Sequence, residues 1–215
     1  MSRKFATLVV VSMVLAGCDA GTLIEPKANV ESSGEDLAAG SYYVETPFPV
    51  RLTFEVPDGT TAWAYTSAGS QINLGTPSWE VSFEIVENVV ADPCSTEQLD
   101  PPVGPGVDDL VSALSGLDGF EATPATDVAI DGYNGKQFVL TAPAEGEAAC
   151  GEMFTWSTTT RQNGVGASEV AEIQIVDVAG VRLLVALAYA PPLPSAERSE
   201  VDVILDSVQL EPLGD

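Results

Sequence analysis

The sequence predicts an α+β fold: a central antiparallel β-sheet with two packed helices, at about 107–117 and 195–206, and one disulfide. Three observations predict it. Period-2 runs recur from Val50 onward, two other stretches carry apolar residues at helical spacing, and two cysteines remain as a pair once a third is assigned elsewhere. A hydrophobic content of 45% suits a packed core, and no internal repeat of 20 residues or more interrupts a one-domain reading.

The chain opens with Arg3 and Lys4, an uncharged run from Phe5 to Val14, and Leu15-Ala16-Gly17-Cys18. A basic start followed by about 7–15 apolar residues and a small-residue junction reads as a secretory signal. The run is shorter than the ~20 residues a membrane span needs. Leu15-Ala16-Gly17-Cys18 also resembles the lipobox of bacterial lipoproteins. That resemblance implies a signal peptide at 1–17, acylation of Cys18, and a place on the extracytoplasmic face of the cell membrane. The alternative is an ordinary signal peptide with an unrelated cysteine.

Residues 18–46 read as a flexible acidic tether, because Glu31-Ser32-Ser33-Gly34-Glu35-Asp36 and its flanks sustain neither period. Residues 47–215 then form a single extracytoplasmic domain. Leu52, Phe54 and Val56 share one face of a strand that Pro57-Asp58-Gly59 turns. Trp63 and Tyr65 alternate in a second strand. Trp79, Val81, Phe83 and Ile85 alternate in a third, which places Glu80, Ser82, Glu84 and Val86 on a wet outer face.

Pro101 to Gly106 is a stiff lead-in to the first helix, where Val107, Leu110, Val111, Leu114 and Leu117 form the apolar stripe. Asp108 and Asp109 fall in its first turn, where the helix dipole favours anions. Strands resume at Asp127–Ile130, with Asp131-Gly132 and Asn134-Gly135 as turn dipeptides before Gln137–Thr141. Val170–Val178 and Val181–Tyr189 make a hairpin about Ala179-Gly180, and Val185–Ala190 is apolar enough to be central. Ser195 caps the second helix, whose stripe is Val201, Ile204, Leu205 and Val208, and the chain leaves it extended toward Leu210.

Composition restricts function. Arg3 and Lys4 leave with the leader, so 6 basic and 32 acidic residues give the mature chain a formal charge of −26. Such a surface repels nucleic acid and anionic headgroups, so no nucleic-acid partner is expected. With no histidine, Ser-His-Asp and Cys-His catalysis and histidine-ligated zinc are excluded. Cys94 and Cys150 are expected to be a structural disulfide, with a redox or metal-binding pair as rivals. Asp127, Asp131 and Asn134 lack calcium-loop spacing, and Gly104-Pro105-Gly106 lacks the Lys-Ser/Thr of a phosphate loop. Lys136 reads as a solvated turn residue, and Trp63, Trp79, Trp156, Tyr65, Tyr133 and Tyr189 as core filling. No cofactor, metal site or catalytic residue is expected.

Asp92-Pro93-Cys94, Leu99 to Val111, Asp131 to Lys136, Cys150, Trp156 and the final Arg198–Leu210 stretch resemble a large group of secreted or lipid-anchored actinobacterial proteins, over roughly Pro49 to Leu210. That resemblance implies a Cys94–Cys150 bridge and an extracytoplasmic site, and no activity. More loosely, Val56-Pro57-Asp58-Gly59 and Asp206-Ser207-Val208 resemble PsbP-like lipoproteins, which implies a central antiparallel sheet with helices packed on it. The expected function is a membrane-anchored lipoprotein with a non-catalytic binding or interaction domain. Its partners would be the bilayer, through acylated Cys18, and a ligand or envelope protein that the sequence does not identify. The alternative is a carboxylate-dependent hydrolase acting on cell-envelope polymers.

Overall fold

A computed structural model describes residues 28–29, 35–44, 49–60, 62–67, 71–144, 153–159 and 161–213, with the backbone alone at 28–29, 35–36 and 62–67. The described strands are β1 (Ala28–Asn29), β2 (Glu35–Leu37), β3 (Gly40–Val44), β4 (Val50–Val56), β5 (Ala62–Ser67), β6 (Gln71–Gly75), β7 (Trp79–Ile85) and β8 (Asn88–Val89), then, after helix α1 (Val107–Ser115), β9 (Glu121–Ala122), β10 (Thr126–Ile130), β11 (Tyr133–Thr141), β12 (Trp156–Ser157), β13 (Gln162–Asn163), β14 (Val170–Val178) and β15 (Val181–Tyr189). Helix α2 (Ser195–Asp206) and β16 (Gln209–Pro212) close the chain.

This corrects the predicted α+β class. Among the described residues the protein is mostly β, with three sheets and two helices. Both helices lie where their stripes predict. The added β content comes from β3 and β6, five residues each, and from shorter strands such as β8 and β13, which find partners only through tertiary pairing. β2 and β3 fall inside the stretch that reads as a tether. There β3 pairs with β4, Tyr42 stacks on Phe54 at 5.9 Å, and Val44 is buried. Cys150, and with it the predicted Cys94–Cys150 disulfide, lies outside the described residues.

The largest sheet runs β10-β11-β14-β15-β7-β6-β5-β2, all antiparallel, with β9 also on β11. β15 sits near its middle, apolar on both faces, as its sequence predicts. The β10–β11 and β14–β15 turns are two residues long, with φ of 48° at Asp131 and 53° at Ala179. Asn134-Gly135 is not a turn: Asp131-Gly132 already reverses the chain, and both residues pair within β11. A Cβ at Gly135 would meet Ile175 O at 1.9 Å, so the glycine permits close approach to β14.

Two cores flank this sheet. On one face Val81, Phe83, Val185 and Leu187 pack against Leu52 and Phe54 of the β1-β3-β4-β16 sheet and Val201 and Ile204 of α2. On the other, Ile173, Ile175 and Leu184 meet Leu110 and Leu114 of α1. A nine-residue helix is marginal alone. Burial of those two leucines, at roughly 1.5–3 kcal/mol each, holds it in place. Asp109 Oδ2 accepts from Gly106 N at 2.9 Å, the helix-start role expected of it.

Candidate functional site

The second face is not apolar throughout. Toward β6 and β7 its large side chains give way to Ala171, Ala186 and Ala188, and these small floor residues leave a cavity of about 260 Å³. β7 contributes Glu80, Ser82 and Glu84 to it and β6 contributes Gln71. The predicted wet face of β7 is therefore wrong. Glu84 is 2% exposed and Ser82 6%, because β12, β13 and the loops around them fold across the strand as a roof. That roof depends on a close crossing, since a Cβ at Gly164 would meet Met153 O at 2.0 Å.

Glu84 is the centre of the arrangement. Trp156 Nε1 and Asn163 Nδ2 both donate to its Oε2, each at 2.6 Å. Burial pushes its carboxyl up to about 7, against the pull of the Trp156 and Ser82 hydrogen bonds. Both roof donors use Oε2, so the proton of the neutral form belongs on Oε1. Asn163 Oδ1 in turn accepts from Gln71 Nε2 at 3.1 Å, while Gln71 Oε1, buried, has no partner among the described residues. Beside them Glu80 Oε1 accepts from Asn73 Nδ2 at 2.9 Å, and Asn73 Oδ1 is likewise without a partner among the described residues.

Glu80 is also held above the usual carboxylate range, chiefly by burial, with Arg161 opposing and Glu169 reinforcing. Glu80 and Glu169 continue along a second, wider cleft of about 510 Å³ that ends at Pro192 and Leu193. The whole is an acceptor-rich slot in which one carboxyl changes charge near neutral pH, an arrangement suited to binding a donor-rich molecule.

Sequence reasoning singled out none of these residues as a site. Cys18 and Cys150 lie outside the described residues, and Cys94 sits in the loop after β8, its N–H on Asp92 Oδ1 at 2.8 Å. Asp127, Asp131 and Asn134 do not converge: Asp127 pairs with Lys136 at 2.6 Å, while Asp131 Oδ2 accepts from Leu210 N at 2.8 Å. Lys136 stands within β11 rather than in a turn. Trp79 and Trp156 both fill core as predicted, and Trp156 also donates to Glu84. The one signal available in advance was three polar residues alternating on β7 with acids at both ends, and it points equally to solvent.

Among the described residues no helix is long and apolar enough to cross a membrane, and no three His, Cys, Asp or Glu side chains are grouped to hold a metal ion. No protein-family model matches the chain, and no curated protein matches it. A solved structure, LpqN of Mycobacterium tuberculosis, described as involved in cell envelope biogenesis, aligns at 12% identity with a TM-score of 0.31, over 83% of this chain and 91% of that one. The expected likeness to PsbP-like lipoproteins is not shown.

Proposed function

We propose that this chain is an extracytoplasmic binding protein, tethered to the membrane through acylated Cys18, whose ligand enters the slot over Glu84. The supporting observation is Gln71: a side chain 2% exposed, lining the cavity, with a carbonyl oxygen that finds no donor among the described residues. Buried polar atoms are rarely left unpaired, so such an atom at a cavity wall marks where a donor from outside belongs. The role we assign is binding: among the described residues the slot pairs its serine and two carboxylates with no histidine, cysteine or lysine.

Trp156 reports occupancy because its indole N–H is bonded to the Glu84 carboxylate. Titrating the full chain with a panel of sugars, amino acids and amines should change tryptophan emission saturably for at least one compound, and Trp156→Phe should remove that change. A panel that leaves emission flat contradicts the binding role. For the anchor, Cys18→Ala should move the chain from the membrane to the soluble fraction, and unchanged partition contradicts acylation at that residue.

A further inference from the structure

We propose that the slot over Glu84 takes the ammonium group of a small alkylamine, its three N–H donors meeting Gln71 Oε1 and the carboxylates of Glu84 and Glu80. The inference rests on the binding role above and assigns its ligand class.

The argument runs through the donors. Glu84 Oε2 accepts from Asn163 Nδ2, which fixes how the Asn163 amide is turned. Asn163 Oδ1 must then face Gln71 Nε2, which fixes the Gln71 amide as well. Gln71 Oε1 is thereby left pointing away from both, without a partner among the described residues. Trp156 Nε1 is committed to Glu84 and Asn73 Nδ2 to Glu80. Each of these donors already serves an internal acceptor, and the acceptors left along the cavity are Gln71 Oε1 and the carboxylate oxygens of Glu80 and Glu84, with Arg161 as the exposed basic group in the lining. A ligand must therefore donate, and an ammonium carries three donors and no acceptor.

Charge separates an ammonium from a neutral polyol. Glu80 and Glu84 line one cavity, and the basic residue among its lining, Arg161, is exposed, acting on Glu80 more than Glu169 does but only weakly on the deeper Glu84. The groups facing Glu84 from β6, β12, β13 and β15 are Gln71, Trp156, Asn163 and Ala186, all uncharged, while Glu169 acts on Glu80 from the loop before β14. A cavity of about 260 Å³ admits a small molecule, since each water occupies about 30 Å³ in the liquid. An ammonium there favours the ionised form of Glu84, so occupancy expels its proton.

The test is calorimetric titration of the full chain with butane-1,4-diamine and with butane-1,4-diol, at pH 6 and pH 8 and fixed ionic strength. The diamine stays dicationic throughout. It should bind about tenfold more tightly at pH 8, the factor by which ionised Glu84 increases across its midpoint near 7. Glu84→Gln should abolish that difference, Gln71→Leu should weaken the diamine about tenfold at both pH values, and Asp118→Asn, at an exposed acid outside the slot, should change nothing. Thermal unfolding of each variant checks that it is folded. If the diol binds as tightly as the diamine, or Glu84→Gln keeps the pH difference, the ammonium assignment is overturned while the slot stands as a ligand site. If neither compound binds, the assignment falls, and the fluorescence panel decides separately whether the slot binds anything.

Discussion

Glu84 and Trp156, 72 positions apart in sequence, are joined by a 2.6 Å hydrogen bond that seals a carboxyl beneath an indole. Glu84 belongs to a central sheet and Trp156 to a two-residue strand that pairs only with β8 and β13. The bond ties the roof to the floor, and the stability of the roof is linked to the charge on Glu84.

That linkage has a definite sign. The folded protein raises the Glu84 carboxyl from 4.5 to about 7, so folding favours the protonated form. Its stability contribution is full below pH 4.5 and is lost as pH rises through about 7. At about 1.4 kcal/mol per tenfold change in the ionisation constant, the loss approaches ~3 kcal/mol. Denaturant unfolding at pH 5, 6, 7 and 8 should show wild type losing stability relative to Glu84→Gln across this window. Parallel curves contradict the burial.

Trp156→Phe keeps an aromatic ring, removes the indole N–H donor and leaves a smaller side chain whose packing loss is the same at every pH. It should cost about 1–3 kcal/mol at pH 8, where Glu84 is charged, and less at pH 5, where it is neutral. Equal losses at the two pH values would reduce the contact to simple packing.

The fold was legible where periodicity runs for a full element. Val81 and Phe83, Leu110 and Leu114, Val185 and Leu187, and Val201 and Ile204 all lie on the buried faces their spacing implies. The fold class was not legible, because β3 lies in a stretch that reads as a tether, β6 is not among the strands read from sequence, and β8 and β13 are two residues each and offer no alternation to read. The site was hidden for the same reason. Glu80, Ser82 and Glu84 look like a solvated face until a segment without period is laid across them, and no spacing rule brings Asn163 to within 2.6 Å of Glu84.

Arg198 clamps α2 to the sheet, donating to Glu172 through both terminal nitrogens and to Asp202 through Nε, while Tyr189 also donates to Glu172. With side-chain exposures of 38% for Arg198 and 28% for Glu172, solvent screens the pair. Arg198→Ala should therefore cost about 1 kcal/mol in denaturant unfolding, less in high salt.

Leu184, fully buried under α1, tests the second core. Leu184→Ala should cost about 2–5 kcal/mol and loosen α1. Hydrogen exchange at Leu110 and Leu114 should accelerate with it; protection unchanged at those amides would place the load elsewhere.

The most direct measurement is the ionisation of Glu84 itself, followed by carboxyl carbon NMR in the full chain and assigned through Glu84→Gln. A buried carboxyl beneath Trp156 titrates with its midpoint near 7. A midpoint near 4.5, the value of an ordinary glutamate, would place Glu84 in water and contradict the sealed slot.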